Sequence, residues 1–135
     1  MKITIKSGPF SWRATIFDTP TGELIYQSLP LKGEASRWGE EIYFDIPVSA
    51  NLETDSSEFV SMGDLGYWPS GKAFCIFFGP TPISKGNEIR PASAVNVFGR
   101  IEGNLSDLNK VKDGDGVIIE KLIEKAVYSG RFEKK

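Results

Sequence analysis

The 135-residue chain is 40% hydrophobic and 25% charged with a net charge of −2, the balance of one globular domain over residues 1–135 rather than of a disordered chain. A sequence pI of about 5.2 argues against nucleic acid, which calls for a basic surface, and no apolar run approaches the ~20 residues that span a bilayer, so neither nucleic acid nor membrane is an expected partner. With no histidine and one cysteine, the chain lacks the usual neutral-pH base, Ser-His and Cys-His nucleophile pairs, ordinary zinc sites and any internal disulfide; no metal or cofactor is expected, and any chemistry falls to carboxylates, Lys, Arg, Tyr or positioning alone.

Met1-Lys2-Ile3-Thr4-Ile5-Lys6 alternates polar and apolar residues without the continuous apolar stretch of a secretory signal, which predicts a first strand in a cytoplasmic protein. After the Ser7-Gly8-Pro9 turn, Trp12, Ala14 and Ile16 alternate with Arg13 and Thr15, predicting a second strand and a hairpin. Thr19-Pro20 reads as a helix cap followed by proline at the first helical position. Leu24, Ile25 and Leu29 then follow at helical spacing until Pro30, giving a short helix suited to plug one barrel end.

Leu31 to Arg37 and Glu41 to Asp45 predict two strands around Trp38-Gly39, and Ala50 to Glu58 reads as a solvated acidic loop. Met62 to Gly71 reads as a Gly/Pro-rich loop carrying two large aromatics. Ala73 to Phe78 is an apolar run of strand length, Pro80 to Pro91 a loop, and Ala94 to Ile101 a strand. Asn104 to Lys110 predicts a short helix, Lys112 to Gly116 a turn, and Val117 to Ile123 a late strand. Short strands at close spacing favour an all-β barrel or sandwich.

Four segments carry a resemblance: Trp38-Gly39-Glu40-Glu41-Ile42-Tyr43-Phe44; Met62-Gly63-Asp64-Leu65-Gly66-Tyr67-Trp68-Pro69-Ser70-Gly71-Lys72-Ala73; Phe78-Gly79-Pro80-Thr81-Pro82; and Pro91-Ala92-Ser93-Ala94-Val95-Asn96-Val97-Phe98-Gly99. Together they resemble a family of small bacterial and archaeal proteins with a cyclophilin-like fold and no settled function. The resemblance implies a mainly β, closed barrel with two or three short capping helices. Val97-Phe98-Gly99-Arg100-Ile101-Glu102-Gly103 is also similar to the late strand of the cyclophilins themselves, the prolyl cis/trans isomerases. Their catalytic residues are not reproduced here. Phe44 stands where their arginine precedes a proline, Val95 near the place of their histidine, and Arg90 nearest their pocket tryptophan.

Within Gly63-Asp64-Leu65-Gly66-Tyr67-Trp68-Pro69, adjacent aromatics face opposite ways in extended chain, so one of Tyr67 and Trp68 is expected to be accessible. The segment reads either as a turn-rich loop packed on the barrel or as a pocket wall. In the second case Lys72 and Arg90 would supply positive charge for an anionic or carbonyl-bearing ligand. Glu40 and Glu41 point to opposite faces and make a poor acid/base pair; Glu40, beside Trp38-Gly39, is the preferred functional choice. Cys75, in an apolar run with no histidine to activate it, is expected to be inert core. Asp113-Gly114-Asp115-Gly116 lacks the sixth-position glycine of a calcium loop and reads as a hairpin turn. Asn96 needs a hydrogen-bond partner if buried.

The candidate pocket is Glu40, Tyr67, Trp68, Pro69, Lys72, Arg90, Ser93 and Asn96. The leading expectation is a barrel binding a small ligand or a peptide segment. The alternatives are an enzyme, either a divergent prolyl isomerase or a carboxylate/Lys-based catalyst, and a subunit whose aromatic loop is buried in a homo-oligomer.

Overall fold

The computed structural model describes residues 1–123; residues 124–135 of the expected domain lie outside the described residues. In chain order the elements are β1 (Lys2–Ser7), β2 (Phe10–Ile16), α1 (Pro20–Gln27), β3 (Leu31–Glu34), β4 (Ser36–Arg37), β5 (Glu41–Asp45), β6 (Asp64–Trp68), β7 (Ala73–Phe77), β8 (Asn96–Ile101) and β9 (Gly116–Lys121). Single 3₁₀ turns at Pro69–Gly71 and Ser106–Lys110 complete the set. The expected all-β barrel is what forms, with one α-helix among the described residues. Among the described residues no helix is long and apolar enough to cross a membrane.

The nine strands form one antiparallel sheet in the order β3-β9-β1-β2-β8-β6-β7-β5-β4. Its two edges, β3 and β4, are halves of one run of chain interrupted at Ala35. Leu31 to Glu34 pairs with β9, while Ser36 and Arg37 pair with β5. A single bent segment therefore joins both edges and nearly closes the barrel. The bend is caught by the Lys112–Gly116 turn. The Ala35 amide donates to the Asp115 carbonyl at 2.8 Å, the Gly114 amide donates back to the Ala35 carbonyl at 2.8 Å, and the Arg37 amide donates to the Asp113 carboxylate at 2.6 Å.

Inward-facing side chains follow the period of two that pleated strands impose. Ile3, Ile5, Trp12, Ala14, Ile42, Phe44, Leu65, Tyr67, Phe74, Ile76 and Phe98 belong to the main core. Phe44 stacks on Phe74 at 5.1 Å, and Phe74 meets Phe98 edge-on at 5.0 Å, a geometry that aromatic quadrupoles favour. The helix starts where expected. Thr19 accepts from the Gly22 amide at 3.0 Å, Pro20 leads the first turn, and Ile25 is fully buried against the barrel.

Two sequence expectations change. Asp64 to Trp68, expected within a loop, is strand β6, paired with β7 and β8. Its glycine marks crowding rather than a turn, since a Cβ on Gly66 would lie 3.0 Å from Val95 and 3.1 Å from Phe77. The Ala50–Glu58 segment is anchored as well as solvated. Asn96, 3% exposed, accepts from the Glu53 amide at 2.8 Å and donates to the Asn51 carbonyl at 2.8 Å and the Thr21 hydroxyl at 3.0 Å. Thr21 in turn donates to the Glu53 carboxylate.

Closure leaves little room at Gly33, where a Cβ would fall 2.6 Å from the Phe44 ring. Gly33→Ala should therefore destabilise the barrel by about 1–3 kcal/mol through overpacking. Denaturant unfolding checks this, and an unchanged midpoint would contradict so tight a closure.

Candidate functional site

The parity that sends Ile42 and Phe44 inward on β5 sends Glu41 and Tyr43 outward. On β7 the outward residues are Ala73, Cys75 and Phe77, which build a second apolar cluster outside the barrel with Ile89 and Val95. Register places Tyr43 and Gly66 on either side of Cys75, Trp68 beside Ala73, and Glu41 beside Phe77. The segment between β7 and β8 folds back over this face. It is held by backbone bridges Ser57–Val95 and Val60–Ile89 and by Ser84 Oγ, which accepts from the amides of Thr81 at 2.9 Å and Arg90 at 3.0 Å.

Between sheet and cover lies a cavity of about 250 Å³. Cys75 forms its floor, Tyr43, Trp38 and Trp68 its aromatic walls, and Pro91, Ala92 and Val95 its cover; Glu41 opens into it. Trp38 is set by the turn into β5. Its amide donates to the Glu41 carbonyl at 3.0 Å, and Gly39 takes φ +62° with the Pro80 carbonyl 2.9 Å from where a Cβ would be. Trp68 is fixed by an indole N–H that donates to Ser93 Oγ at 2.6 Å and by a ring lying on Gly71, whose Cβ would meet it at 2.7 Å.

Glu41 is 6% exposed and takes part in none of the ion pairs among the described residues. Burial pushes its carboxyl up to about 7, offset in part by the Cys75 thiol as a donor. That thiol faces either Glu41 or the Ala73 carbonyl 3.8 Å away. It is itself held well above its ordinary range by burial first and then by the Glu41 charge, which disfavours the reactive thiolate. Glu41 is thus a carboxyl in an apolar, aromatic setting, able to give or take a proton near neutrality.

The eight residues singled out from sequence do not meet in one cavity. Trp68 lines the pocket above Glu41. Arg90 and Ser93 line a neighbouring depression of about 300 Å³ that shares Pro91 and Ala92 with it. Arg90 is engaged there, donating to Glu88 at 3.0 Å with its guanidinium 4.5 Å over the Phe59 ring. Tyr67, Pro69 and Lys72 border a third depression of about 370 Å³. The Tyr67 ring is fully buried and its hydroxyl donates to the Val48 carbonyl at 2.6 Å. Asn96 is occupied by its three hydrogen bonds, and the Glu40 carboxyl packs over Gly79. Sequence reasoning passed over Trp38, Glu41 and Tyr43. The available signal was the alternation of WGEEIYF: once Ile42 and Phe44 are assigned to the core, Glu41 shares a face with Tyr43.

A raised carboxyl pKa has a definite consequence for stability. Between about 4.5 and about 7 the folded chain keeps the Glu41 proton that the unfolded chain has lost. Stability from this group is therefore complete at low pH and drains away as pH rises through that window, by on the order of 3 kcal/mol. Glu41→Gln should gain on the wild type by that amount between about pH 4 and about pH 8 in parallel denaturant titrations. A difference independent of pH would contradict the assignment.

Comparison with known proteins agrees with this architecture. A family model described as cyclophilin-like matches residues 1–120. The solution structure of a hypothetical protein from Archaeoglobus fulgidus is similar, with a TM-score of 0.77 and 41% identity over 90% of this chain and 95% of that one. No curated protein matches the chain.

Proposed function

The chain belongs to the cyclophilin-like family, and we propose that it is a binding barrel whose pocket above Glu41 takes one small, mostly apolar group, carried by a free metabolite or by a peptide side chain. The observation that carries this reading is the cavity of about 250 Å³ with aromatic walls and one buried carboxyl that has no ion pair among the described residues. Small-ligand sites are typically concave and apolar with a few polar groups that fix orientation. Glu41 is that group here. Its ionised form repels an anion, and Lys72 and Arg90 stand in other depressions, so the reading favours a ligand that sets a hydrogen-bonding or positive atom against Glu41.

Prolyl isomerisation is the alternative. It needs a site fitted to the twisted amide and, in cyclophilins, an arginine that polarises it. Arg90 is engaged by Glu88 and Phe59, so the binding reading expects a protease-coupled isomerase assay to stay at background.

Screening small ring compounds by NMR should shift the indole signals of Trp38 and Trp68 together. Trp68→Ala should weaken a hit found this way by about 1–3 kcal/mol while the barrel stays folded. Tyr67→Ala, which truncates a fully buried ring, should instead cost about 3–5 kcal/mol of stability. Equal melting losses in both variants, with no change in binding, would end the pocket reading.

A further inference from the structure

We propose that the group bound above Glu41 is an organic ammonium with apolar substituents, methylated or alkylated at nitrogen, held by an aromatic cage. This rests on the binding reading above and names its ligand chemistry.

Three half-buried aromatics, Trp38, Tyr43 and Trp68, line one small cavity. An aromatic ring carries a π-face whose negative potential attracts a cation, and tryptophan does so most strongly. Alkyl groups on nitrogen suit the same walls, because they shed water at little cost and pack against rings. The fourth element is Glu41, 6% exposed and opening into the cavity with no cationic partner among the described residues. Folding gains nothing from such a carboxyl, since an unpaired buried charge is destabilising. A cation in the cage removes that penalty and gains the cation–π attraction as well.

The surrounding charges do not compete for Glu41. From β4, the Arg37 guanidinium is spent on the carbonyls of Gly39, Asn109 and Val111 and lies 5.0 Å over the Phe78 ring. From the covering segment, Arg90 is paired with Glu88. Glu40 packs over Gly79. From β7 and β5, the ionisable neighbours facing the cavity are the Cys75 thiol and the Tyr43 phenol. Glu41 is thus the one carboxyl among the residues lining the pocket.

The test uses the full chain with choline and with its uncharged carbon isostere, in which a tert-butyl group replaces the trimethylammonium. Binding is followed through the indole NMR signals of Trp38 and Trp68. Choline should bind more than about tenfold tighter than the isostere. Its affinity should rise between about pH 5 and about pH 8 as Glu41 ionises. Glu41→Gln should abolish the pH dependence and reduce the preference to what the aromatic rings alone supply. Trp38→Leu should weaken choline more than the isostere, which guards against a fold defect in the Gln variant. Equal binding of the two probes, or affinity that falls as pH rises, would overturn the ammonium assignment and leave a pocket for neutral or carbonyl-bearing ligands. If neither probe nor any small ring compound shifts the indoles, both the assignment and the binding reading fall.

Discussion

Everything at the site follows from how the barrel shuts. The run from Leu31 to Arg37 leaves β9 at Ala35 and joins β5, and the Lys112–Gly116 turn hydrogen-bonds the chain on both sides of that bend. A closed sheet has one inside, so the parity of each strand is fixed by the residues that fill it. On β5 the inside takes Ile42 and Phe44, and Glu41 and Tyr43 have no choice but the outer face. A one-residue slip would bury Tyr43 and Glu41 in the core, at a cost no local gain could offset. The unusual carboxyl is therefore held in place by the core behind it.

The outer face of β5, β7 and β6 would be an apolar patch if left bare. The segment between β7 and β8 covers it, bringing Ile89 and Val95 against Ala73, Cys75 and Phe77. The cover does not close completely over Glu41, Tyr43 and the two tryptophans. That gap is the cavity. Phe77 and Val95 crowd Gly66, so one end of the face is packed to contact distance, while the other is open and carries Glu41, a buried acid with no ion pair among the described residues. A glutamine or an aliphatic residue at position 41 would serve packing better than a carboxyl held near neutrality. Stability given up at one point of an otherwise well-packed molecule is what the proposed binding role would account for.

Much of the fold was legible from the chain. Lys2–Ser7, Phe10–Ile16 and Asn96–Ile101 announce themselves by alternation, and α1 by Thr19, Pro20 and Pro30. β6 was hidden because Gly63, Gly66 and Pro69 imitate loop punctuation; only the packing of Val95 and Phe77 explains a glycine in mid-strand. The aromatic choice was half visible. Opposite faces for Tyr67 and Trp68 follow from strand geometry, and the structure makes Tyr67 core and Trp68 pocket wall. Lys72, Arg90 and Asn96 drew notice for their chemistry, yet their distances from one another and their partners depend on loop paths that no local pattern encodes. Glu41 was within reach of the same alternation argument, had its pairing with Tyr43 been weighed above its adjacency to Glu40.

What unites fold and site is Glu41, set in an apolar pocket on the outer face with no ion pair among the described residues. Direct titration of its side-chain carboxyl by carbon-detected NMR, with Glu41→Gln used to assign the signal, tests this in the free protein. A midpoint near 7 is expected, well above the ordinary carboxylate range. A midpoint near the ordinary 4.5 would mean that water or a cationic side chain reaches the group, and would contradict the account.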